Sequence, residues 1–166
     1  MARQLLTGVG MLVDVVFQYR TLIGKCDLGV GLELDEIEQL QIIEQAFAPS
    51  DDDVRTSAGR KFRREMIRLD GTIRGDRIND PIDIVEMGPG GLVCRKAPFI
   101  ARGEQVEIVI DSAEHSYRFR ARGVWLRDDG EDYKVGLKFV GMPVCLHKVQ
   151  LSRHETDLVD QIAAAA

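Results

Sequence analysis

Hydrophobic residues recur at helical spacing along the first part of the chain. The apolar positions are Leu5, Leu6, Val9, Leu12, Val13, Val16, Tyr19 and Ile23. After a glycine-containing break, Asp35 to Glu38 resemble a capping box with Asp35 at the N-cap, and Pro49 ends a second periodic stretch. The spacing therefore predicts helices within residues 1–49.

Beyond Met66 the pattern changes to short apolar runs separated by turn residues. Tyr117, Phe119 and Ala121 alternate with arginines, which is typical of a strand with one buried face. The runs are Met66–Arg74, Ile82–Met87, Gly91–Lys96, Gln105–Asp111, Ser116–Leu126 and Tyr133–Val140. They predict a mainly β fold with helical extensions, built on a small antiparallel barrel or sandwich of six strands.

These patterns divide the chain into four segments. Residues 1–49 are a helical segment, residues 50–59 are a linker, and residues 60–143 are the β domain. Residues 144–166 are predicted to carry a C-terminal helix, because a second capping box is followed there by an apolar stripe.

The first helix carries more apolar residues than one helix face needs, notably Val9, Leu12, Val13, Val16 and Phe17. Such a surface is usually covered. It either docks on the protein's own β domain or forms a homodimer or partner interface. We expect no membrane insertion, because Asp14 interrupts an apolar run that falls short of about 20 residues.

Composition narrows the function. The net charge of −5 disfavours a nucleic acid polymer as the partner. Three widely spaced cysteines favour a reducing, cytoplasmic location. Cys145 and His147 are too closely spaced for a usual zinc site, and no nucleophile elbow is present, so we predict no metal, no bound cofactor and no enzyme activity.

Two segments stand out chemically. Residues 60–64 read Arg-Lys-Phe-Arg-Arg, and residues 86–91 read Glu-Met-Gly-Pro-Gly-Gly. Guanidinium groups are planar, permanently charged and bidentate, so Arg60 and Arg64 suit phosphate oxygens. The alternatives are a basic linker paired with the acidic residues 51–53, and a hairpin turn whose glycines adopt a positive φ.

These residues resemble a PilZ domain, the bacterial receptor module for cyclic diguanylate (cyclic-di-GMP), over about residues 59–143. In that family an Arg-x-x-x-Arg pair precedes the first strand, and an Asp/Asn-x-Ser-x-x-Gly turn joins the second and third strands. Arg60, Arg64 and Gly91 match these motifs, and Tyr133–Phe139 resembles a late strand. The resemblance implies a six-stranded antiparallel barrel and a role in bacterial motility, cell polarity or surface behaviour.

The turn departs from the family pattern at two positions. Glu86 stands where the family has Asp or Asn, and Gly88 stands where it has Ser. The leading hypothesis is a non-enzymatic signalling adaptor that acts through an unidentified protein partner, with cyclic-di-GMP binding weakened or lost. The alternative is a receptor that clamps the dinucleotide with Arg60 and Arg64 against Glu86, Gly88 and Gly91.

Trp125 is predicted to belong to the core.

Overall fold

Two helices and then seven strands follow one another along the chain. The structure is a computed structural model that describes residues 8–50 and 60–148. The helices are α1 (Val9–Asp27) and α2 (Leu34–Ala46). The strands are β1 (Glu65–Arg74), β2 (Asn79–Gly88), β3 (Gly91–Ala97), β4 (Gln105–Asp111), β5 (His115–Asp129), β6 (Asp132–Phe139) and β7 (Val144–His147).

Six of the strands close into an antiparallel barrel. Their order is β4-β1-β2-β3-β6-β5, and the pairing of β4 with β5 closes the ring. Inward side chains from all six strands, such as Ile73, Ile84, Leu92, Ile108 and Phe119, form a single buried cluster. The six-stranded barrel with helical extensions that the sequence predicts is confirmed.

The seventh strand lies outside the closed ring. Strand β7 pairs with residues 115–118 of β5, whereas β6 pairs with residues 121–129 of the same strand. Because β4 occupies the other edge of β5 at residues 116–122, β7 continues the line of β6 along one edge. Residues 144–147 are therefore strand rather than the start of a helical segment. The predicted C-terminal helix and most of the predicted linker lie outside the described residues.

Helix α1 packs against one end of the barrel, where β1 begins and β2 and β6 end. Leu12, Val13 and Val16 are buried in the same cluster as the barrel interior. Phe17 is half-buried, and its ring meets those of Tyr117 and Phe119 edge-on. Val9, at the start of the helix, is also half-buried. The apolar surface of α1 is thus covered by the chain's own barrel, as in the docking alternative, and its buried side chains are not available to a partner.

Helix α2 begins two residues earlier than its capping pattern predicts. The N-cap is Glu33 rather than Asp35, and the side chain of Glu36 accepts a hydrogen bond from the Glu33 backbone N–H at 3.1 Å. Glu36 also pairs with Lys25 of α1. Ile43 and Phe47 then turn inward and join the common core.

Within the described part of the chain, neither helix is long and apolar enough to span a membrane.

The burial of Val16 yields a stability prediction. Val16→Ala should lower the free energy of unfolding by about 1–3 kcal/mol, because it removes methyl groups from a side chain that is 0% exposed. The matched control, Leu34→Ala, should change it by less than about 0.5 kcal/mol, because Leu34 is 85% exposed. Urea denaturation measures both, and equal effects would contradict the docked position of α1.

Candidate anion-binding site

The basic segment at residues 60–64, here called the lead-in segment, runs between the helices and the barrel end. The backbone N–H of Arg63 donates to the carbonyl oxygen of Phe47 at 3.0 Å. The ring of Phe62 lies edge-on to that of Tyr19, with centroids 5.2 Å apart. Lys61 pairs with Glu44 of α2 at 3.1 Å. The lead-in segment is therefore attached to both helices.

The β2–β3 turn lies directly beneath the lead-in segment. Gly88 pairs with Gly91, and Pro89 and Gly90 form the two-residue turn between them. The predicted positive φ at these glycines is wrong, since none of them adopts one. Two of them are glycine for a different reason, which is lack of space. A Cβ at Gly88 would lie 2.6 Å from the carbonyl oxygen of Arg63, and a Cβ at Gly91 would lie 2.1 Å from the carbonyl oxygen of Leu137.

A cavity of about 490 Å³ opens between the lead-in segment, α1 and the β5–β6 surface. Six cationic residues line it: Arg20, Arg60, Lys61, Arg63, Arg64 and Lys138. The other lining residues are Tyr19, Phe62, Pro89, Gly90, Val124, Trp125 and Phe139. Among the residues that the structure describes, no Asp or Glu lines this cavity, so its walls are strongly positive.

Three of these cations carry a buried donor atom without a partner among the described residues. Of the six, Lys61 pairs with Glu44 and Arg63 pairs with Glu65 at 3.0 Å. The Nε atoms of Arg20 and Arg63 and the Nη1 atom of Arg64 are buried with no hydrogen-bond partner within residues 8–50 and 60–148. Burial lowers the pKa of Arg64, and the neighbouring charge of Arg60 lowers it further. Unpaired buried donors are costly, so the protein's own groups leave these guanidinium groups incompletely compensated.

The structure places the predicted site residues around two cavities. Arg60 and Arg64 line the large cavity, and they also line a smaller one of about 160 Å³. Glu86 lines only the smaller cavity, where its charge favours the charged form of Arg64. Gly88 supports the lead-in segment from below. Arg60, Arg64 and Glu86 are thus brought together, but Glu86 does not line the large cavity.

Trp125 and Arg20 contribute to the large cavity, and the sequence reasoning missed both. Trp125 is half-buried at the cavity wall rather than enclosed in the core. Its register partner on β6 is Gly136, and the indole packs directly on that glycine. A large residue opposite a glycine on paired strands is the signal that could have indicated this position. Arg20 carried no comparable signal, because its helix was interpreted from its apolar positions.

The histidines form no metal cluster in the described part of the chain. His115 and His147 face each other across β5 and β7, with Nε2 and Nδ1 at 3.4 Å. No group of three or more His, Cys, Asp or Glu side chains that could hold a metal ion occurs among the described residues.

Comparisons with known proteins show a likeness to solved structures but none to a protein family. No protein-family model matches the sequence, and no protein of curated function matches it. The chain is similar to the solved structure of the Bacillus subtilis inhibitor of motility, MotI/DgrA, with a TM-score of 0.42 and 15% sequence identity. The match covers 64% of this chain and 50% of that one, so it spans about half the length of the inhibitor. A similarity of this size assigns no function by itself.

The contact beneath the lead-in segment predicts a counterintuitive result for Gly88→Ser, which restores the hydroxyl of the family pattern. We expect it to lower the free energy of unfolding by about 1–3 kcal/mol, because the new side chain meets the Arg63 carbonyl. The matched control is Gly90→Ser, since the nearest neighbour of a Cβ there is 3.9 Å away. Urea denaturation measures the free energy of unfolding of both variants. A Gly88→Ser protein as stable as the wild type would show that the lead-in segment does not contact this turn.

A second prediction concerns the single tryptophan of the chain. Gly136→Ala should displace the indole of Trp125, because a Cβ there would lie 2.2 Å from its Nε1 atom. We expect the fluorescence emission maximum to shift to longer wavelength as the ring becomes more exposed. Gly75→Ala is the control, because its Cβ would make ordinary contacts of 3.6 Å or more. An unchanged spectrum in Gly136→Ala would refute the packing of Trp125 on β6.

Proposed function

We propose that this protein is a non-enzymatic regulatory module of the PilZ type, whose large basic cavity binds a phosphate-bearing ligand. The observation that carries the proposal is the cavity lined by six cationic residues, three of which have buried guanidinium donors without described partners. Arginine forks match phosphate oxygens in geometry and charge. An acidic chain that concentrates cations in one cavity is suited to a small anion rather than to a polymer.

The size and walls of the cavity narrow the ligand class. A volume of about 490 Å³ lies within the usual range for small-molecule sites. Tyr19, Phe62 and Trp125 add aromatic surface to the cationic wall, a combination that suits a nucleobase attached to phosphate. Cyclic diguanylate is the first candidate, because the arginine pair resembles the motif of its receptors.

A ligand-free adaptor is the second candidate, and the β2–β3 turn favours it. The backbone of Arg63 lies where a serine side chain at position 88 would project. Glu86 interacts electrostatically with Arg64 in the smaller cavity, so part of the charge of Arg64 is already compensated. In this version the barrel and its helices act through protein contacts alone.

In either version the protein needs an exposed surface through which it contacts a partner. In the receptor version, the ligand would shift the position of the lead-in segment, and the attached helices would move with it. A role in motility or cell polarity is a proposal that follows from the family resemblance, whereas a protein partner or a homodimer was inferred from the apolar surface of the first helix. The buried residues of α1 cannot form this surface without undocking, so a partner that binds the docked form must use other residues.

Calorimetry with cyclic diguanylate tests the proposal. The wild-type protein should bind with a dissociation constant of about 10 µM or tighter. Arg60→Ala/Arg64→Ala should weaken binding by about 100-fold or more, because each guanidinium supplies a charge-assisted hydrogen bond. Affinity should also fall with added salt.

The matched control is Arg68→Ala/Arg102→Ala, which removes the same charge from two exposed arginines outside both cavities. It should bind like the wild type. Equal losses in the two double variants would mean that only net charge matters. No binding by the wild type at about millimolar ligand would leave the ligand-free adaptor.

A further inference from the structure

Arg20 reaches the large cavity from helix α1, outside the barrel and outside the lead-in segment. It lies on the half of α1 that runs past the loop between β6 and β7. Its Nη2 atom donates to the carbonyl oxygen of Gly141 at 2.9 Å. One turn further along α1, a Cβ at Gly24 would lie 2.9 Å from the Met142 side chain, so helix and loop are in close contact. The Arg20 side chain is thus anchored at one nitrogen.

The rest of the Arg20 guanidinium is poorly compensated. Its Nε atom is buried and has no hydrogen-bond partner in the described residues. Burial lowers the pKa of Arg20, although the nearby Tyr19 and Asp27 act in the opposite direction. The side chain lines the same cavity as Arg63 and Arg64 of the lead-in segment, which also carry unpaired donors. Cationic donors from two separate elements therefore surround one space.

We infer that α1 forms one wall of the ligand site, and that Arg20 binds the phosphate-bearing ligand together with Arg63 and Arg64. This inference rests on the proposed function and adds a residue that the arginine motif does not contain. A ligand held from both sides would bridge the helix to the lead-in segment. Ligand binding and docking of α1 would then be coupled.

The coupling has a physical route. Helix α1 is held to the barrel end by Phe17 against Tyr117, by the hydrogen bond between Tyr117 and Asp14, and by Tyr19 against Phe62. A ligand that contacts Arg20 adds another link, and it contacts Arg20 only when the helix is docked. Linkage then requires the ligand to stabilise the docked helix, and the docked helix to strengthen ligand binding.

Hydrogen exchange and calorimetry on the full chain test the inference, with cyclic diguanylate and inorganic pyrophosphate as probes. In the wild type, a bound probe should slow amide exchange in α1. Arg20→Met keeps the aliphatic stem but removes the donors. It should weaken binding by about tenfold or more and abolish the slowing in α1. Arg68→Met, an exposed arginine outside the cavity, is the control and should behave as the wild type.

The outcomes separate this inference from the proposed function. If neither probe binds the wild type, both fail. If cyclic diguanylate binds and Arg60→Ala/Arg64→Ala abolishes binding, while Arg20→Met changes neither affinity nor exchange in α1, the inference alone is overturned. Binding of cyclic diguanylate without pyrophosphate would assign part of the recognition to the base, and the Arg20→Met comparison would still decide.

A structural role for Arg20 predicts a different pattern. If Arg20→Met speeds exchange in α1 without any probe, Arg20→Lys becomes the deciding variant, because lysine can keep the charge and the hydrogen bond to Gly141 but lacks the planar fork. Wild-type affinity in Arg20→Lys would overturn the inference. A loss of about tenfold with α1 still docked would uphold it.

Discussion

The contact between the lead-in segment and the β2–β3 turn organises this end of the molecule. The backbone of Arg63 approaches Gly88 so closely that no side chain fits between them. The same residue donates its backbone N–H to the end of α2. The lead-in segment therefore lies between the barrel and the helices and contacts both. This position holds the cationic side chains of the segment beside the barrel surface.

This layering also explains how an acidic chain makes a basic cavity. The chain carries a net charge of −5, yet six cations from α1, the lead-in segment and β6 line one space. Glu44 and Glu65 compensate two of them, and Glu86, which lines the smaller cavity with Arg64, favours the charged form of Arg64. The remaining positive charge is concentrated in an open, partly sheltered cavity, and electrostatic interactions beside the protein surface are stronger than in bulk water.

Local patterns carried most of the fold prediction. The alternation of Tyr117, Phe119 and Ala121 with arginines indicated a strand with one buried face, and six short runs of strand length indicated a small antiparallel barrel or sandwich. The short strand β7 was missed, because four residues are too few for a periodic signal and their pairing depends on the exposed edge of β5. The sequence pattern attributed the glycines of the β2–β3 turn to backbone conformation. In the structure, glycine is required because a side chain would collide with the backbone of a residue distant in sequence: Arg63 at Gly88 and Leu137 at Gly91.

The sequence by itself indicated a mainly β fold with a helical extension and singled out Arg60 and Arg64 as candidate anion-binding residues, because these inferences depend on local periodicity and on the chemistry of single side chains. The tertiary structure alone decided that the apolar face of α1 is buried on the barrel, that Glu86 lies apart from the large cavity, and that Arg20 and Trp125 line it. Those facts depend on contacts between residues far apart in the chain. Such contacts follow from how the elements pack, and no local pattern records them.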